Sequence, residues 1–228
     1  MKLSVIMPAY NEAATIKKAI EKVLAVEIPA EKEFIIVDDG STDGTREILK
    51  QVSDSRIKLL FHEKNQGKGA ALHTGFKNVT GDIVIIQDAD LEYDPSDYIH
   101  LINPILCGHA DVVYGSRFLS GPHRVLLFWH YVGNKLITLA ANMLYNVNFT
   151  DIETGYKAFR SKILKEITFS SNCFGFEAEF TAKVAKKQYH LYEVPIQYMG
   201  RGYDEGKKIT WRDGVTALRI LLKFKVCK

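Results

Sequence analysis

Three acids at alternate positions, Asp88, Asp90 and Glu92, follow the apolar run Ile83, Val84, Ile85 and Ile86. Such a run reads as a strand buried on both faces, as in a parallel sheet. Carboxylates gathered at its end repel one another and lose solvation, and a cation would relieve both. If the chain stays extended, Asp88 and Asp90 point to one side and Glu92 adds a third donor. Hard oxygen donors suit Mg²⁺ or Mn²⁺, usually held by one or two carboxylates together with substrate phosphates. The plainer reading, a solvated acidic loop leading into a helix, is adopted for Asp94.

A second acidic cluster, "VDDGSTDGT" at 37–45, also follows an apolar run. An acid there can accept hydrogen bonds from ribose hydroxyls or a base, a role given to Asp39. Residues 41–44 have the composition of a turn. "GKGAAL" at 67–72 has the glycines of a phosphate loop but matches neither GxGxxG nor GxxxxGK[ST]. Its Lys68 is a candidate to approach a nucleotide.

Strand and helix signals alternate through the first half. Strands are expected at 3–8, 33–39, 56–62, 82–88 and 110–117. Helices are expected at 11–25, within 41–54 with Asp43 as cap, at 67–79, and at 94–106 with Asp94 as cap and Pro95 in first position. The alternation predicts an α/β fold, a mostly parallel sheet with helices on both faces. Ligands of such sheets bind at the carboxyl ends of strands, where "PAYNE", "DDGSTDGT", "DADLE" and "GSR" fall. Beyond Arg124 the segment 125–149 is apolar and aromatic but broken at Gly133, Asn134 and Lys135. A helix over 176–187, a strand over 191–198 and a terminal helix with a Thr210/Asp213 capping box complete the elaboration.

The 228 residues fit one domain, and 46% apolar with 25% charged residues is ordinary for a globular protein. A net charge of +3 argues against nucleic acid; the eight Lys/Arg against three Asp/Glu over 201–228 place the basic character in the tail. Cys107, Cys173 and Cys227 are odd in number and widely spaced, as free thiols in a reducing compartment would be. Neither a signal peptide nor an apolar run of membrane-spanning length is expected. The expected location is cytoplasmic, with peripheral contact at the cytoplasmic face of a membrane.

"VIMPAYNE", "IIVDDGSTDGT", "NQGKGAALHTGF", "DAD" and "GSRF", in this order, resemble the family-2 glycosyltransferases of the GT-A, Rossmann-like fold. "DIETGYKAFR" and "EVPIQYMGR" resemble the branch of dolichyl- and polyprenyl-phosphate mannose and glucose synthases. The resemblance covers essentially the whole chain and implies a single domain over 1–228. Residues 1–117 would bind the nucleotide sugar and 118–228 the acceptor. It implies a nucleotide-sugar donor bound near Pro8, Tyr10, Glu12, Val37 and Asp39, with Asp88, Ala89 and Asp90 holding Mg²⁺ or Mn²⁺ on the diphosphate. Arg117 and Arg201 match arginines that contact phosphates, for which their forked geometry is suited; a structural ion pair is the alternative for each. The chain has Asn134-Lys135 where the mannose synthases have Arg-Lys, and Lys157 where they tend to have arginine.

The expected activity is an inverting, metal-dependent transfer of a hexose, mannose or glucose, from a GDP- or UDP-sugar to a polyprenyl phosphate. The alternatives are transfer to a saccharide or other soluble acceptor, or a non-catalytic sugar-nucleotide-binding protein. A hydroxyl acceptor would need a base, for which Asp151 and Glu153 are the candidates beside a plain loop role. The expected partners are a membrane surface, met by 125–149 and the tail, and a membrane protein or second copy. On the tail helix Val215, Leu218, Leu222 and Val226 share one face and Arg212, Arg219 and Lys223 another.

Overall fold

The computed structural model describes residues 1–119, 124–125, 127–173, 175–200 and 211–226. The elements run β1 (Lys2–Ala9), α1 (Ile16–Ala25), β2 (Glu31–Asp38), α2 (Thr45–Lys50), β3 (Ile57–Phe61), α3 (Lys68–Phe76), β4 (Ile83–Ile86), α4 (Tyr98–Leu106) and β5 (Val112–Ser116). Then follow α5 (Phe128–Tyr145), β6 (Lys157–Arg160), α6 (Ile163–Glu166), α7 (Phe176–Lys186), β7 (Leu191–Pro195) and α8 (Trp211–Val226). The sheet has seven strands in the order β3-β2-β1-β4-β6-β5-β7. Its ladders are parallel except where β6 pairs with β4 and β5. The fold is thus α/β and mostly parallel, as the alternating signals require.

Period-2 alternation divides the strands between two cores. Leu3, Val5, Met7, Phe34, Ile36, Ile83 and Ile85 pack on one side under α1 and α4. Ile6, Ile35, Val37, Val84, Ile86 and Tyr114 pack on the other, under α3, α7 and the α5–α8 pair. Every residue of β4 is buried, as its uninterrupted apolar run predicts. Asp94 caps the turn ahead of α4 by accepting from the Ser96 N–H, with Pro95 following it. Asp43 acts one residue before the geometric cap Gly44, its Oδ1 accepting from the Thr45 N–H at 3.0 Å.

Three expectations need correction. Residues 11–15 form turns ahead of α1 rather than its first turn. β6 lies within "DIETGYKAFR", where no strand was expected, and inserts antiparallel into the middle of the sheet. The segment around Gly133-Asn134-Lys135 is continuous helix, 18 residues long. Gly133 faces open space, so it imposes only its propensity cost of about 1 kcal/mol. Even so, among the described residues no helix is long and apolar enough to cross a membrane.

α8 packs through Ala217 and Leu221, both buried. Leu218 also touches this core, whereas Val215, Leu222 and Val226 of the expected stripe are exposed. Thr210 of the capping box lies outside the described residues.

Candidate active site

The loops after β1 and β2 are laced together. The Asn11 N–H donates to Ser41 Oγ (3.0 Å), and the Thr42 N–H returns a bond to Asn11 Oδ1 (2.9 Å). The Glu12 and Ala13 N–H groups donate to Thr45 Oγ1 (2.9 Å) and Asp43 Oδ2 (3.0 Å). The polar residues of "STDGT" therefore satisfy the backbone of "AYNEA", where Asn11 adopts φ 52°. The two adjacent acids at the end of β2, Asp38 within it and Asp39 just after it, divide their work. Asp38 is fully buried and paired with Arg46 at 2.7 Å. Asp39 turns to the cleft edge and accepts from His62 Nδ1 (2.7 Å) and from the N–H groups of Gln66 (3.0 Å) and Gly67 (2.8 Å). Asp39 thus fixes the loop entering α3, a role its acid-after-strand position did not reveal.

The glycines of "GKG" serve close packing. A Cβ on Gly67 would lie 2.3 Å from Asn172 O, and one on Gly69 would lie 2.0 Å from Ser171 O. The loop at 171–172 rests directly on the start of α3, where the Ala70 N–H donates to Asn172 O at 3.0 Å. Lys68, pointing the other way, joins two acids: its Nζ is 2.8 Å from Asp88 Oδ1 and 3.1 Å from Glu177 Oε1. Burial alone would lower the proton affinity of this ammonium, but the charges of Asp88 and Glu177 hold its pKa well above the ordinary lysine value.

The chain does not stay extended through the acids. It turns at Ala89-Asp90, and Leu91 takes φ 66°. Alternation is therefore not what brings the acids together; the turn does, and Asp88, Ala89, Asp90 and Glu92 all line one cleft of about 620 Å³. The Glu92 N–H donates to Asp90 Oδ1 (3.1 Å), while its carboxylate accepts from Tyr198 Oη (2.8 Å). Among the described residues no three His, Cys, Asp or Glu side chains converge as a metal cage. A Mg²⁺ or Mn²⁺ ion would fit as a guest of Asp88 and Asp90 completed by diphosphate oxygens, the usual arrangement for Mg²⁺.

Gly155 makes room for Asp88. A Cβ there would stand 2.3 Å from Asp88 Oδ2, and the Gly155 N–H donates to Tyr93 Oη at 2.8 Å. Gly155→Ala should displace the carboxylate and lower nucleotide affinity by about tenfold, with a loss of about 1–3 kcal/mol from overpacking. Titration calorimetry and thermal melts measure both; unchanged affinity would mean that Asp88 does not depend on this glycine.

Of the expected donor-binding residues, Pro8, Tyr10, Glu12, Asp39, Lys68, Asp88 and Ala89 line this cleft. Val37 does not, because it is fully buried in the second core. Arg117 also lines the cleft, but its guanidinium grips Asp151 with two bonds, Nε to Oδ2 at 2.6 Å and Nη2 to Oδ1 at 2.8 Å. Both carboxylate oxygens of Asp151 are so occupied. Its backbone is held in turn by Glu193 of β7, which accepts from the Asp151 N–H at 3.1 Å. Arg117 also lies 5.2 Å over the Tyr198 ring, and Tyr93 stacks on Tyr156 at 4.8 Å. Arg201 lies outside the described residues.

Glu153 lines the same cleft. Burial, and then the charge of Glu177, push its carboxyl well above the usual range. Lys157, fully buried, donates to the carbonyls of Ile152 and Thr154. Glu177 is the site residue that the sequence hid, since in "FEAEFTAKVAKK" it reads as one more helix acid. A second cavity of about 460 Å³ adjoins the first and shares Arg117, His130, Asn134 and Tyr198 with it. Its remaining walls include Phe118, Arg124, Val125, Phe128 and Tyr131.

Low-salt glycan biosynthesis hexosyltransferase Agl6 of Haloferax volcanii is 31% identical over 96% of this chain and 53% of its own length. Dolichol-phosphate mannosyltransferase of Pyrococcus furiosus is 28% identical over 91% of this chain and 59% of its own. Undecaprenyl-phosphate mannosyltransferase of Micrococcus luteus is 29% identical over 91% and 87%. The chain thus spans little more than half the length of the first two. In structure it is similar to glucosyl-3-phosphoglycerate synthase of Mycobacterium tuberculosis, solved with Mn²⁺, UDP and product (TM-score 0.76, 22% identity, 98% of this chain and 79% of that one). That likeness identifies the fold as GT-A. The family described as "Glycosyl transferase family 2" matches residues 4–168, and with most of its length so matched the chain belongs to that family.

Proposed function

We propose that this protein is an inverting hexosyltransferase that moves mannose or glucose from a GDP- or UDP-sugar to a polyprenyl phosphate. The observation that carries this reading is the pair of adjoining cavities. One has acids at the carboxyl end of β4 and the loops of β1 and β2 at its edge. The other is walled by aromatic and aliphatic side chains with Arg124 among them. The first suits a nucleoside diphosphate with its divalent ion, and the second a phosphate carried on a hydrocarbon chain. The names of the dolichol- and undecaprenyl-phosphate relatives support the same acceptor, and the Mn²⁺ and UDP of the mycobacterial structure support the same donor class.

In this reading Asp88 and Asp90 hold Mg²⁺ or Mn²⁺, which when bound supplies charge neutralisation to the leaving diphosphate. Lys68 adds a positive charge beside them. The acceptor phosphate attacks the anomeric carbon from the face opposite the leaving group, which inverts the centre. A phosphate is already an anion at neutral pH, so no protein base is required. This agrees with Asp151 being committed to Arg117.

The exposed side of α5 supports peripheral contact with a cytoplasmic membrane face. Trp129, Leu136, Leu139 and Met143 are exposed at helical spacing, and Phe128 and Val125 continue the patch to the second cavity. Such a face can lie in the plane of the interface. The exposed Arg219, Lys223 and Lys225 of α8 add cations, each worth about 1 kcal/mol near an anionic surface.

The test supplies labelled GDP-mannose or UDP-glucose, polyprenyl phosphate and Mn²⁺, followed by extraction into organic solvent. Label in the organic phase is expected. Label found only in water-soluble products when 3-phosphoglycerate or saccharides are offered would overturn the lipid acceptor and leave a transferase for soluble acceptors.

A further inference from the structure

The main cleft contains two acidic oxygens that no group of the protein satisfies. Glu153 Oε1 and Glu177 Oε2 are both shut off from solvent, and neither has a hydrogen-bond partner among the described residues. Glu177 is 6% exposed. Glu153 comes from the 151–156 loop and Glu177 from the first turn of α7, so elements distant in sequence bring them to one cleft. A buried acceptor left unsatisfied costs about 1–3 kcal/mol, and more when charged. Each such group needs an explanation, and in a cleft open to ligands a bound donor supplies one.

Their position indicates which ligand. The Lys68 ammonium joins Asp88 Oδ1 (2.8 Å) to Glu177 Oε1 (3.1 Å). One ammonium therefore links Asp88 to Glu177, and Glu153 lines the same cleft. With a diphosphate at Asp88, as the reading above has it, the group it carries would be placed toward these two acids. A second cation is a poor fit, because the Lys68 ammonium is already paired with Glu177 and the buried Lys157 ammonium acts on both acids. Ring hydroxyls fit well: each is a neutral donor, and adjacent hydroxyls present two donors together.

We propose that Glu153 and Glu177 form the subsite that reads the hexose, with Glu153 Oε1 and Glu177 Oε2 accepting hydrogen bonds from its ring hydroxyls. The proposal rests on the glycosyltransferase reading above and goes beyond it by giving Glu177, and Glu153 in place of an acceptor-base role, to the donor sugar. A site built to bond a hydroxyl discriminates strongly against a ligand that lacks it, because its buried polar groups are then left unpaired.

The experiment measures binding of UDP, GDP, UDP-glucose and GDP-mannose by titration calorimetry with Mn²⁺, for the wild type, Glu153→Gln, Glu177→Gln and the double variant. The preferred hexose donor should lose at least about tenfold in affinity in each variant, while the matching diphosphate changes less than about threefold. Glu153→Gln should leave the melting temperature unchanged, because Gln keeps the shape of a carboxyl that burial already pushes toward its neutral form. Glu177→Gln gives up a Lys68 partner at 3.1 Å and should lower it, so donor and diphosphate are compared on folded protein. Independently of any variant, the wild type should bind a deoxy-hexose donor at least about tenfold more weakly than the parent donor. Equal losses for donor and diphosphate, or no loss in either variant with full tolerance of deoxy donors, would overturn the subsite. Failure of the wild type to bind either diphosphate would overturn the glycosyltransferase reading, and the subsite with it.

Discussion

Asp88→Asn is expected to lower turnover by about 10³-fold, the size of effect seen when one preorganised electrostatic contact to a developing anion is lost. The acid lies where β4 ends and the chain turns, with Gly155 cleared away beside it and Lys68 bonded to it at 2.8 Å. A neutral amide there can no longer help hold a dication against a diphosphate. The fold should survive, because Lys68 keeps Glu177 as a partner at 3.1 Å and the apolar body of β4 is untouched. Asp90→Asn should behave alike, and excess EDTA should abolish wild-type turnover. Full activity in the double variant, or undiminished wild-type activity in EDTA, would remove the metal from the mechanism.

What the sequence disclosed followed from local chemistry. The run at 83–86 had to be a buried strand, and acids at its end had to lie at the ligand edge of a parallel sheet. Asp94-Pro95 announced the start of a helix through its cap. What it withheld depended on distant partners. β6 has four residues, "KAFR", with a polar residue at each end, and its place between β4 and β5 is fixed only by pairing across the chain. Asp39 reads as a ligand residue, and it does line the cleft, but its hold on His62 and the 66–67 backbone shows only once those distant groups are folded against it. The glycines of 67 and 69 suggest a phosphate loop until the carbonyls of 171 and 172 are seen pressing on them. Glu177 gives no local sign at all, because its meaning lies in Lys68 and in the oxygen left without a partner.

Arg117→Ala is expected to destabilise the protein rather than only to slow it. The resemblance implies a phosphate contact for Arg117, with a structural ion pair as the alternative. The structure adds a cost. Asp151 is fully buried, and its two oxygens accept from Arg117 Nε and Nη2 at 2.6 and 2.8 Å, with the Arg117 N–H adding a third bond at 3.2 Å. Removing one partner of a buried pair leaves an uncompensated charge and costs about 3–5 kcal/mol. At 2–4 °C per kcal/mol for a domain of this size, the melting temperature should fall by roughly 6–20 °C. Arg117→Lys should recover only part of this, since a single ammonium cannot reproduce the two-pronged grip. Arg117→Ala combined with Asp151→Ala should be less destabilised than the sum of the single changes, because the orphaned carboxylate is then gone. Turnover per folded molecule separates the two roles: a further loss there would show that the guanidinium also meets the acceptor phosphate, across the wall that the two cavities share. A melting temperature unchanged in Arg117→Ala would refute the structural role of the pair.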